Sequence, residues 1–394
     1  MTNTGPIAGR WTKTLAYFAS FVALGLALAA LGPTLPCLAD LAGVSLSSLS
    51  TIFIARSGGY LAGAVTGGRL YDRIPGHVVL GTVIAVMALC LALVPFGRSL
   101  PLLALILFIL GWGEGGVDVG GNTLLVWLYP CGLSPWMHAL HFFFGVGALV
   151  SPLIVAYTME SHGSIASVYW LLAVLLLPIS LVILIQPSPP IAEHAKDRTA
   201  SLAGHRTSLL FIGGLLFAAA GAEIGFGSWI YTFAIRLQLT DALSAAVLTS
   251  TYWTAFTIGR LFGIPLSARL SPPAILLLCG AGCGTGVLSL WIRPDAALWA
   301  GTVVAGFAVG PMFASIVALA ELTMPISGRS TGWFLVGSSA GAMSVPWIIG
   351  QFFETAGPQV TWVVILLDLC LGFGIYAIFE IRNRKITDLP GARR

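Results

Sequence analysis

The sequence contains very few charged residues. Only 9% of its 394 residues are Asp, Glu, Lys or Arg, whereas 57% are hydrophobic. A soluble globular domain carries about 25% charged residues, so this composition excludes a soluble fold. The apolar stretches repeatedly exceed the ~20 residues needed to cross the hydrocarbon core of a bilayer. The sequence therefore predicts an all-α polytopic membrane protein.

Motifs typical of enzymes and of nucleotide-driven pumps are also missing. The six cysteines lack C-x-x-C spacing, so we expect neither a metal site nor disulfides. No P-loop is present, which argues against ATP-driven transport. Gly111, Gly113 and Gly116 match a dinucleotide fingerprint in letters, but they lie within an apolar span and not after a strand. We expect no cofactor, and the small net charge of +4 does not indicate nucleic acid binding.

Apolar stretches separated by Pro, Gly and charged residues predict twelve membrane-spanning helices. The longest polar gap divides them six and six, so we expect an N-terminal half at 1–186, a cytoplasmic linker at 187–206 and a C-terminal half at 207–394. The predicted spans are residues 11–36, 45–71, 77–96, 101–129, 137–159, 165–186, 207–236, 242–268, 273–293, 296–320, 328–352 and 358–381.

Basic residues near the span ends predict the orientation, because Lys and Arg are retained on the cytoplasmic side. With the N-terminus inside, fourteen basic residues fall on the cytoplasmic side and only Arg98, Arg236 and Arg293 fall outside. Arg56 and Arg260 remain within spans. We therefore expect both termini in the cytoplasm, a location in the plasma (inner) membrane, and a monomer.

Residues of the first half recur in the second. The second span recurs in the eighth at an offset of 200 residues, and the fifth recurs in the eleventh at an offset of 194. A parallel duplication of six helices fits both offsets. The recurring pairs include Gly59 and Gly259, Gly63 and Gly263, Arg69 and Arg269, and Gly147 and Gly341.

The second span ends in a motif that resembles the major facilitator superfamily. Gly68, Leu70, Asp72 and Arg73 match the G-x-L-x-D-R pattern that this superfamily carries at the same turn. The resemblance implies two pseudo-symmetric halves of six helices, with spans 1, 4, 7 and 10 around a central cavity. It also implies gating pairs near the cytoplasmic ends of the spans. The candidates for gating are Arg69, Asp72, Arg73, Arg260, Arg269 and Glu321.

Spans 4 and 5 carry a second resemblance. Asp118, followed by Gly120, Gly121 and Asn122, and the stretch 137–148 are similar to the branch that contains fucose:proton symporters and sodium-dependent glucose transporters. In that branch the acid at the position of Asp118 is implicated in coupling. The first span has no acid, in contrast to the fucose symporters. The resemblance implies a sugar or a polyol as substrate.

Charged residues at membrane depth predict where coupling takes place, because an ionised side chain there is costly without water or a partner. Glu114, Asp118 and Asn122 are spaced at i, i+4 and i+8, so they share one face of span 4. Arg56 in span 2 needs an acidic partner, and Asp118 and Glu114 are the candidates. We expect Asp118, Glu114 and Arg56 to carry proton coupling, with a static salt bridge as the alternative.

Side chains that suit a polyhydroxylated substrate occur in both halves. Aromatic faces beside amide, carboxyl and imidazole groups fit the C–H faces and hydroxyls of a sugar, although a single Trp is equally typical of the interfacial belt. Gln351, together with Glu354, could instead belong to an outer gate. The substrate-binding candidates are Asn122, His141, Glu223, Trp229, Tyr252, Trp253 and Gln351.

Three kinds of function remain open from the sequence. The favoured one is a secondary transporter of a sugar or polyol that works by alternating access. Protons are favoured over sodium because acid, Arg and His groups are present and no cage for a hard cation is evident. A sodium-coupled or uncoupled sugar carrier is a variant of this first kind. The other two kinds are an exporter or flippase of an amphipathic drug or lipid, and an intramembrane enzyme or receptor. Asp368 on the last span has no predicted role.

Overall fold

The computed structural model describes residues 9–129, 132–190, 205–291, 295–324 and 328–387. Most of the predicted linker, with Lys196 and Arg198, and also Arg293 lie outside these residues. Within them the chain is helical and contains no strand, which confirms the all-α class. The helices are α1 (Arg10–Ala29), α2 (Leu31–Ala42), α3 (Leu46–Leu49), α4 (Thr51–Tyr71), α5 (Gly76–Leu93), α6 (Leu100–Leu128), α7 (Ser134–His162), α8 (Ile165–Leu184), α9 (Arg206–Arg236), α10 (Ala242–Ser267), α11 (Pro272–Ser289), α12 (Asp295–Val309), α13 (Met312–Thr323), α14 (Gly328–Phe353) and α15 (Val360–Thr387).

The number of spans in the described residues is ten by length and apolarity, or eleven if α2 and the segment Leu46–Tyr71, bent by 113°, form one span. The predicted twelve are therefore not all confirmed. The helices that are not apolar enough by themselves are α4 and α10, which correspond to each other at the offset of 200 residues. α10 is 26 residues long, or about 39 Å at 1.5 Å per residue, which is sufficient to cross a bilayer core. α10 is missing from the count because of its polar residues, which include Arg260, and not because of its length.

The first predicted span is an interrupted helix, because α1 ends at Ala29 and α2 begins at Leu31. Pro33 has no N–H to donate to the carbonyl group four residues earlier, which weakens the helix at this point. Arg56 of α4 donates hydrogen bonds to backbone carbonyl groups next to this interruption. Its guanidinium donates to the carbonyl oxygens of Ala27 at 3.0 Å and Leu28 at 3.3 Å. A cation at the C-terminal end of a helix also stabilises the helix dipole.

Glycines allow α4 and α6 to touch backbone to backbone. A Cβ atom on Gly59 would lie 1.9 Å from the carbonyl oxygen of Phe108, and one on Gly63 would lie 1.9 Å from that of Trp112. Such a distance is much shorter than any real contact of a Cβ atom. Small residues at this spacing are typical of closely packed membrane helices, and here they leave no room for larger side chains.

The second half repeats this packing. Two of the recurring glycine pairs, Gly59 with Gly259 and Gly147 with Gly341, make close backbone contacts at corresponding places, whereas a Cβ atom on Gly263, unlike one on Gly63, would lie nearest to the side chain of Pro311, at 3.1 Å. A Cβ atom would meet a carbonyl oxygen at 2.0 Å for Gly259 with Phe307, at 1.9 Å for Gly341 with Phe217 and, in the first half, at 2.1 Å for Gly147 with Val22.

The two halves contact each other at the end of the bundle that the basic residues place outside. Gln351 near the end of α14 donates to the carbonyl oxygen of Ser47 at 2.9 Å and to the hydroxyl of Ser50 at 3.0 Å. Close by, a Cβ atom on Gly32 of α2 would lie 2.8 Å from the carbonyl oxygen of Gly227 of α9. Contacts between α2 and α9, and between α14 and the start of α4, therefore close this end.

The contact between α4 and α6 can be tested with two neighbouring glycines. We expect Gly59→Ala to destabilise the protein by about 1–3 kcal/mol, because the added carbon overlaps the backbone of α6. In Gly58→Ala the new carbon has its nearest neighbour at 3.9 Å, so this variant should be as stable as the wild type or more stable. Thermal unfolding of the purified protein in detergent measures both effects. Equal midpoints for the two variants would contradict the close contact.

Candidate functional site

Two side-chain pairs connect α4 and α6 at the glycine contact. Arg56 donates from Nε to Oε2 of Glu114 at 3.0 Å, and its Nη2 pairs with Oε1 of the same carboxylate. One helical turn further along both helices, the Tyr60 hydroxyl donates to Oδ2 of Asp118. Partners in both pairs are 58 residues apart in sequence, as expected for helices that run parallel. The two pairs therefore lie one helical turn apart along the same contact between α4 and α6.

The first pair, Arg56 with Glu114, is an enclosed ion pair. Only 9% of the Arg56 side chain and 3% of the Glu114 side chain are exposed. Arg56 also donates to the two carbonyl groups at the end of α1, so its guanidinium makes four hydrogen bonds to protein groups. The sequence left Asp118 and Glu114 open as partners of Arg56, and the structure selects Glu114. This pair joins α1, α4 and α6 in one contact.

The second pair, Tyr60 with Asp118, is more accessible than the first. Asp118 accepts the hydroxyl of Tyr60, and the amide Nδ2 of Asn122 donates to its Oδ1 at 3.1 Å and to its backbone oxygen at 2.8 Å. Tyr60, Asp118 and Asn122 are all partly accessible, whereas Glu114 is buried. The predicted polar face of span 4 therefore has an enclosed end at Glu114 and an accessible end at Asp118.

The second half contributes a cation at this place. The guanidinium of Arg260 on α10 lies 4.5 Å from the centre of the Phe256 ring. Its charge acts on Asp118 of α6, on Glu223 of α9 and on His141 of α7. We call the six partly accessible residues Tyr60, Asp118, Asn122, His141, Glu223 and Arg260 the central polar cluster.

Arg260 lies within the helix bundle. We expected this residue near the cytoplasmic end of its span, among residues that gate the path. α10 ends at Ser267, close to the predicted end at residue 268, and Arg260 lies seven residues before that end. At this position its charge acts on side chains from three other helices. Its role in gating stays a prediction.

The aromatic residues predicted to bind substrate are buried in helix packing. Trp229 is 1% exposed, Tyr252 is 0% and Trp253 is 2%, so none of them has an accessible face in this conformation, and their role in substrate binding stays a prediction. Trp229 donates to the carbonyl oxygen of Pro346 at 3.1 Å. The Tyr252 hydroxyl donates to the backbone oxygen of Glu223 at 3.0 Å. Tyr252 thus supports a member of the central polar cluster and does not belong to it.

Gln351 also lies away from the central polar cluster. It contacts Ser47 and Ser50 where the halves meet at the outer end, and Glu354 accepts the backbone N–H of Leu46 at 3.2 Å. A role of Gln351 in substrate binding stays a prediction that these contacts do not support. Its contacts are those expected of a gate residue, which was the other interpretation of the sequence.

The remaining gating candidates are on the surface. Arg69, Asp72, Arg73, Arg269 and Glu321 are exposed and form no ion pair within the residues that the structure describes. Their role in gating stays a prediction. In the same described residues, no group of three or more His, Cys, Asp and Glu side chains is arranged to hold a metal ion.

Sequence analysis missed Tyr60 as the partner of Asp118. The signal was present in the spacing, because Tyr60 follows Arg56 by four residues just as Asp118 follows Glu114. Once two parallel helices share one pair, the next residues on the same faces also meet one turn later. The gate residues Ser47 and Ser50 had no comparable signal, since their partners lie some 300 residues away in the chain.

These features define a class of protein. Two repeated helical halves close at one end, and the polar groups between them remain partly accessible, as in membrane carriers that work by alternating access.

The chain belongs to the Major Facilitator Superfamily, whose sequence profile matches residues 15–346. It is therefore a membrane transporter and not an enzyme. It is 30% identical to the sodium-dependent glucose transporter 1A of Mus musculus over 95% of this chain and 96% of that protein. The solved nucleoside transporter NupG has the same fold, with a TM-score of 0.76 at 13% identity over 95% of this chain and all of that one. The D-xylose-proton symporter gives a TM-score of 0.71 at 14% identity over 92% and 97%.

The enclosed ion pair predicts a strong dependence on Glu114. In Glu114→Ala, Arg56 stays buried without its carboxylate, so we expect a loss of about 3–5 kcal/mol in stability. The exposed acid in Glu321→Ala should have little effect. Thermal unfolding in detergent is the measurement. The double variant Arg56→Ala/Glu114→Ala should lose less than the sum of the two single variants, because the residues contact each other. Additive losses would contradict the pairing.

Proposed function

We propose that this transporter moves a sugar or a related polyol by alternating access, and that a proton on Asp118 drives it. The observation that carries the proposal is the central polar cluster, in which one accessible acid is held by two neutral donors beside an arginine from the other half.

A polyhydroxylated solute fits the groups in the cluster. Asp118 and Glu223 supply acceptors, Asn122 and Arg260 supply donors, and the imidazole of His141 can supply either. An uncharged sugar needs this mixture, because each of its hydroxyls both donates and accepts hydrogen bonds. The related mouse protein is named as a glucose transporter, which supports the same substrate class. A lipid or an amphipathic drug would need a larger accessible apolar surface, so we favour the sugar.

Asp118 is the better candidate for the coupling proton than Glu114. Glu114 already has a cation in contact and is enclosed, so adding a proton would leave Arg56 buried and uncompensated. Asp118 has only neutral partners in hydrogen-bond contact, Tyr60 and Asn122, and is accessible from the space between the halves. In this proposal Arg56 and Glu114 support the site, and Asp118 alone changes its charge.

A proton on Asp118 would redistribute the charges between the halves. With Asp118 ionised, Arg260 of the C-terminal half is attracted to an acid of the N-terminal half and to Glu223 of its own half. With Asp118 neutral, the attraction across the halves disappears and Glu223 remains. A ligand shifts a conformational equilibrium only through such a difference between two states. This difference gives the proton a direct influence on how the halves approach each other.

The outer contacts are the ones that must break during the cycle. In this conformation Gln351 bridges to Ser47 and Ser50, so we propose that the substrate exchanges with the opposite side, where the gating candidates lie. By the distribution of basic residues that side is the cytoplasm of a plasma (inner) membrane, and both termini are on it.

Sodium is the second candidate for the coupling ion, because the related mouse protein is named as sodium-dependent. The groups around Asp118 favour the proton. Sodium is a hard cation that prefers several oxygen ligands, whereas Asn122 presents its Nδ2 donor to the carboxylate. The experiment below separates the two ions.

Asp118→Asn should abolish accumulation driven by a gradient while counterflow continues. The amide keeps the size of the side chain but cannot release a proton. Uptake of a panel of labelled sugars into proteoliposomes, under an imposed proton or sodium gradient, measures accumulation. Glu160→Gln, an exposed acid near the end of α7, is the matched control and should accumulate like the wild type.

Each result of this experiment distinguishes a function. Accumulation by Asp118→Asn at the wild-type level would contradict the assignment of the coupling acid. Uptake driven by a sodium gradient alone would assign sodium in place of the proton. If no sugar is taken up or exchanged by the wild type, and lipid-like molecules are moved, the substrate class is wrong.

A further inference from the structure

Asp368 is a buried acid that belongs neither to the central polar cluster nor to the ion pair of Arg56 and Glu114. Asp368, in the membrane-spanning part of α15, is 6% exposed. Neither of its carboxyl oxygens has a hydrogen-bond partner. An acid in this position is costly in any protein, and α15 is a peripheral helix that the proposed transport path does not use. Asp368 therefore needs an explanation of its own.

The groups around Asp368 are small or apolar. On α9, a Cβ atom at Gly221 would lie 2.9 Å from Oδ2 of Asp368, so the glycine leaves room for the carboxyl group. The same Cβ atom would lie 2.5 Å from the side chain of Val345 of α14. From α11, the thiol of Cys283 interacts electrostatically with Asp368. Among the described residues no cation acts on Asp368, and the acid of α9, Glu223, belongs to the central polar cluster.

These surroundings determine whether the carboxyl group of Asp368 is protonated or ionised. An ionised carboxylate with no partner, transferred from water to an apolar interior, would cost far more than the stability of a typical protein. Sodium would require further oxygen ligands, and glycine, valine and cysteine side chains offer none. A bound proton removes the charge without any partner and fits the narrow space beside Gly221.

Two observations separate Asp368 from the requirements of the fold. The corresponding last helix of the first half, α8, contains no acidic residue, so the repeated architecture does not need one. In addition, an apolar cavity begins one helical turn away toward the cytoplasmic side. It is lined by Leu369 and Gly372 of α15, Ala218 of α9 and Gly280 of α11. The packing of α15 against α9 and α11 therefore leaves an apolar cavity close to the acid.

We propose that Asp368 is a proton-binding site separate from the central polar cluster, and that loss of its proton weakens the packing of α15 against α9 and α11. The charge that appears on ionisation has no partner, so the carboxylate must move toward water, and the adjacent cavity permits that movement. Gly221 precedes Glu223 by two residues on α9. The site therefore connects the pH of the medium to a helix of the transport path.

Infrared spectroscopy tests the bound proton directly and needs no transport activity. We expect the difference spectrum of the purified wild type minus Asp368→Asn at neutral pH to contain the C=O absorption of a protonated carboxylic acid. This absorption should shift in D2O and disappear at alkaline pH. The matched control Glu160→Gln, whose acid is exposed, should give no such band. Absence of the band from the Asp368 spectrum would overturn the proposal.

Thermal unfolding across pH tests the consequence. A proton held in the folded state and lost in the unfolded state stabilises the protein below the pH at which the folded state releases it. The midpoint of the wild type should therefore fall as the pH rises, and the midpoints of Asp368→Asn and Asp368→Leu should lack this fall. Parallel pH profiles would overturn the proposal. So would failure of both variants to fold, because both keep the site neutral. Failure of the sugar proposal would leave these two measurements unaffected.

Discussion

The close contact between α4 and α6 is the constraint on which the rest of the site depends. Because Gly59 and Gly63 have no side chains, the backbones touch, and the side chains on either side of the contact are forced into fixed pairs. Arg56 reaches Glu114, and Tyr60 reaches Asp118 one turn later. Arg56 extends the same arrangement to the interrupted end of α1. A wider separation of the helices would leave a buried arginine without its acid, which is among the most destabilising changes that a protein can undergo.

The duplication explains how a symmetric fold holds an asymmetric site. At the offset of 200 residues, Tyr60 in α4 corresponds to Arg260 in α10. Both follow a glycine that touches a backbone carbonyl of the facing helix, at Phe108 in one half and Phe307 in the other. Both residues also interact with Asp118. Tyr60 donates a hydrogen bond to it, and Arg260 acts on it through its charge. The two positions are equivalent in the repeat but carry different side chains. The N-terminal half supplies a neutral donor to Asp118, and the C-terminal half supplies a cation.

The contacts between the halves differ in kind from the ion pair within one half. Gln351 donates neutral hydrogen bonds to Ser47 and Ser50, each of which contributes about 0.5–1.5 kcal/mol net, and the carboxylate of Glu354 accepts the N–H of Leu46. The ion pair between Arg56 and Glu114 is enclosed and lies within one half. Under the proposed alternating access, the contacts between the halves would exchange while this ion pair stays intact, and the accessible Asp118 lies one turn from it.

The sequence by itself determined the membrane class, the two repeated halves and the short set of charges at membrane depth, because these follow from local composition and from spacing along single helices. It also restricted the partner of Arg56 to two acids. Only the tertiary structure decided between them, brought Arg260 within electrostatic range of Asp118, buried Trp229 and Trp253, and left Asp368 without a hydrogen-bond partner. These outcomes depend on how each helix is rotated about its axis and on which helix it touches, and contacts between residues far apart in the chain set both. Periodicity shows that residues share a face, but packing decides what that face meets.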